Sequence, residues 1–484
     1  MTDNKHEVPA TVAHLDAYHR NEVASFHMPG HKQRGGHHPL AASVFSEATL
    51  RNDVSEMGGF DYLHAPEGAL VSAQNRSAQI FDAQSTFFLV NGSTVGNLAA
   101  ILSHSRDGDT VVMLRGSHRS VYTGVALAGA NPSYVQLRHD TDHDGWFVAD
   151  APTHVPANTR AIHVTRPNYY GMAVDLAPYR ALADITGAVL IVDEAHGAHF
   201  GTHPALPQSA LQQGADIVIQ STHKTLSALT QASMLHLGAD PHGRVNIDAL
   251  RQSLAMLQSS SPSALLTMSL DLAAEEHARN DFAAVKRVVA LAMNTRTTLA
   301  DTLRSIRLVN EDSFTGTTAR LDPTKLVFDV SKIGLTGFDA RSWLKTNMRI
   351  NVELADHRRI VCSLTVGDDD STAELLIEAL TALDRSAHGT SSTGPSTVIA
   401  LPSPTLTLTP RAAVQAPAQP VALADAHGRT CAEYLIPYPP GIPLAAPGEI
   451  LTEAVLRALT DFQSVGARIV GPADPTLHTV RVVA

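Results

Sequence analysis

The chain has 484 residues, 44% of them hydrophobic, and a formal net charge of −11. That length exceeds what one core supports, so two or three units are expected, and the negative balance argues against a nucleic-acid partner. No run of eighteen apolar residues marks a membrane span, the polar start MTDNKHEVPA lacks an apolar signal core, and two isolated cysteines, Cys362 and Cys431, make neither a disulfide framework nor a metal site; no metal is expected, and the cytoplasm is the expected location.

Residues 1–75 are polar and glycine-punctuated, and read as an N-terminal arm of loops and short helices. A large unit over 76–305 follows. Within it, residues 86–90 (TFFLV), 110–114 (TVVML), 161–165 (AIHVT), 189–192 (VLIV) and 217–220 (IVIQ) are short apolar runs separated by helix-like stretches such as 98–102. That alternation predicts βαβ units and a mostly parallel sheet. Residues 264–305 look helical and lead to a small α/β unit over 306–385, with a helix over 372–384. A Ser/Thr/Pro-rich connector, flexible or extended, is expected over 386–422. A C-terminal segment over 423–484 closes with a helix from 447 to about 462.

The chemically suggestive residues fall just after the apolar runs, where open α/β sheets gather their ligands. Lys224 lies in Ser221-Thr222-His223-Lys224, and Asp193 opens Asp193-Glu194-Ala195-His196-Gly197, 31 positions earlier. Alone, a lysine after a strand is usually a solvated surface residue, and such an aspartate is often a helix cap. Together they supply what pyridoxal phosphate needs: an amine for a Schiff base and a carboxylate that keeps the pyridine nitrogen protonated. Gly92-Ser93-Thr94 at a helix start offers backbone N–H groups and hydroxyls to a phosphate, with Ser221 and His223 as further donors. His118, after the run 110–114, offers a flat ring to stack on the pyridine face, although a lone histidine in a loop is normally a surface residue. Ala195 is small enough to lie beneath it, and His196 is expected to bond Asp193 or the ring oxygen.

With these motifs in view, the chain resembles the bacterial ornithine/lysine/arginine decarboxylases, and their compact branch in particular. The resemblance runs over nearly the whole chain. It rests on Phe26-His27-Met28-Pro29-Gly30-His31-Lys32, Leu63-His64-Ala65-Pro66-Glu67-Gly68, Gly92-Ser93-Thr94, His118, the segments around Asp193 and Lys224, Ser260-Ser261-Pro262-Ser263, and Tyr438-Pro439-Pro440-Gly441-Ile442-Pro443. It implies an α/β protein of PLP fold type I (aspartate aminotransferase-like) with a large domain, a small α/β domain and a C-terminal domain. It also implies pyridoxal 5'-phosphate as cofactor, and a homodimer or higher homo-oligomer with shared active sites. Glu353 and Asp356 are candidates, by the same resemblance, for the acid that meets the substrate's distal cation. One departure stands out: the family's T-x-P-T-Y-x-G is here Thr165-Arg166-Pro167-Asn168-Tyr169-Tyr170-Gly171. Arg166 and Asn168 are therefore expected near the cofactor oxygen or the substrate.

The implied reaction is α-decarboxylation of lysine, ornithine or arginine to cadaverine, putrescine or agmatine. Lys224, Asp193 and His223 carry the catalytic roles, and either His223 or Lys224 returns a proton to Cα. Transamination is the competing chemistry. It would need an arginine gripping the substrate carboxylate; Arg166 is the one candidate, and it is expected not to clamp there but to touch phosphate, cofactor oxygen or a neighbouring acid. A non-catalytic relic of the fold is the other alternative.

Overall fold

A computed structural model describes residues 8–21, 24–34, 38–58, 60–140, 145–311, 318–386, 401–403, 405–438 and 441–484. His37, residues 387–400 of the expected connector, and Pro439 and Pro440 of the C-terminal motif lie outside the described residues.

The apolar runs become strands of one sheet: β1 (Ser85–Leu89), β2 (Thr110–Leu114), β3 (Asn131–Val135), β4 (Thr159–Thr165), β5 (Val189–Asp193), β6 (Ile217–Gln220) and β7 (Ser233–Leu237). Their order is β1-β7-β6-β5-β4-β2-β3. The pairs β6–β5, β5–β4, β4–β2 and β2–β3 are parallel. β7 is antiparallel to both neighbours. The sequence reading did not identify β7, whose alternation Ser233-Met234-Leu235-His236-Leu237 is polar at two positions. In place, all five residues are buried, and His236 is satisfied by Thr86 Oγ1 (2.8 Å) and Gln220 Oε1 (3.1 Å).

Strand residues alternate between the two faces of the large sheet's core, as the pleat demands. Val111, Met113, Ile191, Ile217 and Ile219 face one cluster, with the helices Gly92–His104, Arg119–Ala128 and Ile247–Leu257. Val112, Leu114, Ile162, Val164, Leu190 and Val192 face the other, with the helix Ala177–Thr186. Burial on both faces explains why these strands read as continuous apolar runs.

A second core unites a four-stranded antiparallel sheet with helices. Its strands are β8 (Arg307–Leu308), β9 (Lys325–Asp329), β10 (Leu354–Ala355) and β11 (Arg359–Ser363), in the order β8-β9-β11-β10. The helices Ala283–Thr302 and Asp370–Ser386 pack on it. A third core belongs to the C-terminal segment, with β12 (Ala418–Ala422), β13 (Ile436–Tyr438), β14 (Arg468–Val470), β15 (Thr479–Val483) and the helix Glu453–Ser464.

Within the stretch expected as a flexible or extended connector, the described residues 405–422 carry regular structure. Residues Pro410–Gln415 form a helix capped by Thr409, its Arg411 donates to Leu127 O and Ala126 O, and β12 pairs with β15. Serine, threonine and proline content marks turn and cap chemistry as readily as flexibility. The C-terminal unit is fixed to the large one by a fully buried ion pair, in which Arg115 Nη2 donates to Glu449 Oε2 at 2.9 Å.

Candidate active site

Five strand ends of the large sheet, those of β1, β2, β4 (Thr165), β5 and β6, open into one cavity of about 350 Å³, within the range of small-molecule and cofactor sites. After β1 come Gly92, Ser93 and Thr94, and after β2 comes His118. Asp193 ends β5, with Ala195 and His196 just beyond, and after β6 come Ser221, His223 and Lys224; all of these line the cavity. Parallel strands point their carboxyl ends the same way, so residues up to 132 positions apart in the chain converge there.

The helix Gly92–His104 starts without a side-chain cap. Its N-cap residue, Asn91, turns its Oδ1 to Ser259 N instead (3.2 Å). Gly92 is left-handed, φ 72°, a conformation glycine adopts at no steric cost. The Ser93 and Ser221 hydroxyls lie 2.7 Å apart beside this helix start. Uncapped N–H groups, the positive helix end and two hydroxyls form an anion seat.

Lys224 sits on the short helix Thr222–Thr225. Its side chain is open to the cavity, yet the surrounding protein is dense. Desolvation lowers its pKa from the ordinary lysine value, aided by the charge of Lys325 and opposed by Asp193 and Glu353. Nζ lies 3.2 Å from His196 Nε2. Burial, and then the charges of Lys325 and Lys224, push His196 well below its ordinary range. His196 therefore bonds the lysine, and not Asp193 as the sequence reading allowed. Its ring also meets Tyr169 edge-on at 5.1 Å.

Asp193 is 3% exposed. It accepts hydrogen bonds from Ala195 N (3.1 Å) and Asn97 Nδ2 (2.8 Å). His118 caps the helix Arg119–Ala128, its Nδ1 accepting from Ser120 N, and burial lowers its pKa. His223 uses Nδ1 to donate to Ala232 O at 2.8 Å, and burial lowers its pKa as well.

Three expected substrate residues fall elsewhere. Arg166 is 1% exposed and does not line the cavity. Its Nη1 donates to Glu194 Oε1, its Nε to Val174 O and its Nη2 to Gln208 O, each at 2.8 Å. Asp356 accepts from Tyr170 Oη (2.8 Å), from the backbone N of Arg358 and Arg359 (2.7 Å each) and from Arg359 Nη1 (3.3 Å). Both are consumed by the protein itself, so neither reaches a substrate in the cavity. A buried charge must be paired, and sequence proximity to the site motif does not reveal which partner takes it. Glu353 is exposed and outside the lining, but its charge acts on Lys224, Tyr169 and Lys325. Asn168 and Tyr169 do line the cavity.

The sequence reading did not identify Asn97, Ser120, His163 or Lys325. A signal was present for two of them. Asn97 interrupts an otherwise apolar helix and His163 an otherwise apolar strand, and buried polar residues in such places have partners. Lys325 is 4% exposed, and its Nζ donates to Ser363 Oγ at 2.6 Å.

Two family patterns match the chain: "Orn/Lys/Arg decarboxylase, major domain" over residues 9–372 and "Orn/Lys/Arg decarboxylase, C-terminal domain" over residues 398–474. An arginine decarboxylase of Bacillus subtilis is 34% identical, covering 99% of this chain and 98% of the relative. One of Halalkalibacterium halodurans is also 34% identical, covering 96% of each. Among solved structures, a lysine decarboxylase of Francisella novicida superposes with a TM-score of 0.84 at 20% identity, over 99% of this chain and 81% of that one. The fold is PLP fold type I, and the cofactor is pyridoxal 5'-phosphate. The donor set fits it: an anion seat at one end of the cavity, a carboxylate held by hydrogen bonds at the other, and a desolvated amine between histidines.

Proposed function

The chain belongs to the Orn/Lys/Arg decarboxylase family, and on that premise we propose that the basic amino acid it decarboxylates is arginine, giving agmatine, a polyamine precursor. Decarboxylation of a basic amino acid follows from the family. The end-to-end likeness to relatives named for arginine supports the choice among the three. The observation that carries the reading is the cavity itself, with Lys224 facing Asp193 across a site that ends at the start of the helix Gly92–His104.

In this reading Lys224 takes the cofactor's aldehyde, and its lowered pKa leaves more of the amine neutral and nucleophilic. Asp193 would hold the ring nitrogen. Ser93, Thr94, Ser221 and the helix start would hold the phosphate, with His223 as a further donor. His118 would stack on the ring, Ala195 would leave room for it, and His196 would stand beside the lysine. Bound pyridoxal phosphate supplies the electron sink for the pair left behind when carbon dioxide departs. The chain's own residues set orientation and proton traffic. His223 commits Nδ1–H to Ala232 O, and burial disfavours its second proton, so it presents a bare Nε2. Lys224 would thus be the better proton donor to Cα.

The occupied guanidinium of Arg166 weighs against transamination. A residue whose three nitrogens are spent on Glu194, Val174 and Gln208 has nothing left to grip a substrate carboxylate. A decarboxylase gains from that, since a bidentate cation would stabilise the charge that must leave. Intact Lys224, Asp193 and His118 argue against a relic. Glu353 is the acid we assign to the guanidinium of arginine.

We also assign a homodimer. Phe26, Met28, Leu40, Val44, Phe45 and Met57 of the N-terminal arm are half or more exposed, and apolar side chains so concentrated in one segment mark a surface that another copy covers. No helix of the described residues is long and apolar enough to cross a membrane; we place the protein in the cytoplasm.

Cofactor-loaded protein incubated separately with arginine, ornithine and lysine tests the substrate. Carbon dioxide and agmatine from arginine, with much slower turnover of the other two, is the expected result. Preferred release of cadaverine or putrescine overturns the choice of arginine, and exchange with a 2-oxo acid without carbon dioxide overturns the reaction.

A further inference from the structure

Along the cavity wall runs a chain of hydrogen bonds that joins the motif residues Asp193 and His118 through residues outside the motifs, one of which, Asn97, also lines the cavity. It begins at His163, in the middle of β4, 0% exposed. His163 Nε2 lies 3.1 Å from Asn97 Oδ1. Asn97, 1% exposed, donates from Nδ2 to Asp193 Oδ2 at 2.8 Å and to Ser120 Oγ at 3.0 Å. Ser120 Oγ lies 2.9 Å from His118 Nδ1.

The direction of every bond in this chain follows from its end. An ionised carboxylate only accepts, so the amide nitrogen of Asn97 must face Asp193, and its oxygen must face His163. The oxygen needs a donor, so the His163 proton is on Nε2. The second amide hydrogen is spent on Ser120 Oγ, which leaves the hydroxyl hydrogen for His118 Nδ1. That nitrogen already accepts from the backbone N of Ser120 at 3.2 Å. The proton of His118 is then on Nε2.

We propose that Asn97, oriented by His163, is the positioning residue that fixes two elements of the cofactor site at once: the Asp193 carboxylate assigned to the ring nitrogen and, through Ser120, the tautomer and ring plane of His118 assigned to stacking. The inference rests on the cofactor roles given to Asp193 and His118 above. Burial supports it, because His163 is pushed down to about 4 and so stays a neutral, one-proton donor at ordinary pH. The physical need is plain. A carboxylate beside an apolar sheet can rotate, and a histidine ring has two tautomers. One planar amide clamped between them removes both freedoms before the cofactor arrives, which is how outer partners tune a bound group.

The test uses the full chain freed of cofactor and titrated with pyridoxal phosphate, with visible absorbance and cofactor affinity as readouts. Asn97→Leu and His163→Leu should each weaken the cofactor by about tenfold or more, the usual loss when an outer partner of a held group is removed, and should shift its visible band. The double variant should lose little beyond Asn97→Leu, because both changes break one chain. His163→Gln, which keeps an N–H donor, should recover most of the affinity. A merely structural role would lower thermal stability in all variants without that recovery or the shifted band. Affinity and spectrum unchanged in Asn97→Leu, while Asp193→Asn weakens the cofactor or shifts its band, overturns the relay and leaves the site reading standing. Asp193→Asn with unchanged affinity and spectrum overturns the role of Asp193, and with it the relay.

Discussion

The surroundings of Lys224 have two sides of different character. On the large-sheet side, Asp193, Asn97, Ser120 and His118 are joined by hydrogen bonds of 2.8 to 3.0 Å, and Asn97, Ser120 and Asp193 are buried. On the small-sheet side, outside the cavity lining, the charges of Lys325 and Glu353 act on Lys224; Lys325 is buried with its Nζ donating to Ser363 Oγ, and Glu353 is exposed. The first side is complete before any ligand arrives. The second keeps charge in reserve. A cofactor that stays bound calls for fixed, satisfied partners, because reorganisation then costs nothing at each turnover. A substrate that enters and leaves calls for groups whose hydrogen bonds are still open.

Substitutions can break that contrast, beginning on the cofactor side. Lys224→Ala should abolish turnover and the visible band of the lysine-bound cofactor. Borohydride reduction of the wild type followed by peptide mapping should place the pyridoxyl group on Lys224; recovery on the other buried amine, Lys325, would reverse the roles of the two sides. Asp193→Asn should lower kcat by about a hundredfold or more, the scale for losing one preorganised electrostatic partner, with a smaller loss of cofactor; steady-state kinetics at saturating pyridoxal phosphate checks it.

The substrate side should respond in KM. Glu353→Gln should raise KM for arginine by about tenfold or more, since a hydrogen bond to a charged group is worth about 1.5–3 kcal/mol, while the cofactor spectrum stays as in the wild type. An unchanged KM would remove Glu353 from the site.

Arg166 sharpens the comparison by belonging to neither side. Arg166→Met should cost about 3–5 kcal/mol of stability, because it strands the buried Glu194 carboxylate. Denaturant unfolding measures this. KM should stay near the wild-type value in whatever protein folds, and adding Glu194→Gln should restore part of the stability.

The smallest effect concerns pH. Burial pushes His236 and His277 down to about 3 and His163 to about 4. In the unfolded chain each takes a proton near 6.5, so between that value and its folded value the unfolded state holds more protons. Their stabilising contribution is complete above about pH 6.5 and is lost as pH falls towards 4. Glu194, pushed up to about 7 by burial despite Arg166, acts in the opposite sense between about 4.5 and 7. Three groups against one predict a melting temperature that falls on acidification, by thermal unfolding at stepped pH. His236→Gln should flatten that fall.

The sequence by itself determined the parallel sheet, since strands buried on both faces must be apolar throughout, and 110–114 and 217–220 were legible to the residue as β2 and β6. It also determined the cavity's inner lining. Lysine, aspartate and a glycine-led helix start at strand ends carry their chemistry in their type and spacing, and the resemblance named the cofactor and reaction class from the same residues. Only the tertiary structure decided where each charge is spent. Arg166 and Asp356 stand beside site motifs in the chain, yet each is consumed by partners 28 and 186 positions away, Glu194 and Tyr170. Asn97 and His163, which the sequence reading did not identify, are brought by folding into one hydrogen-bonded chain with Asp193. Hydrophobic patterning has a local period that one segment displays unaided, whereas the pairing of a buried polar group depends on what the fold lays against it.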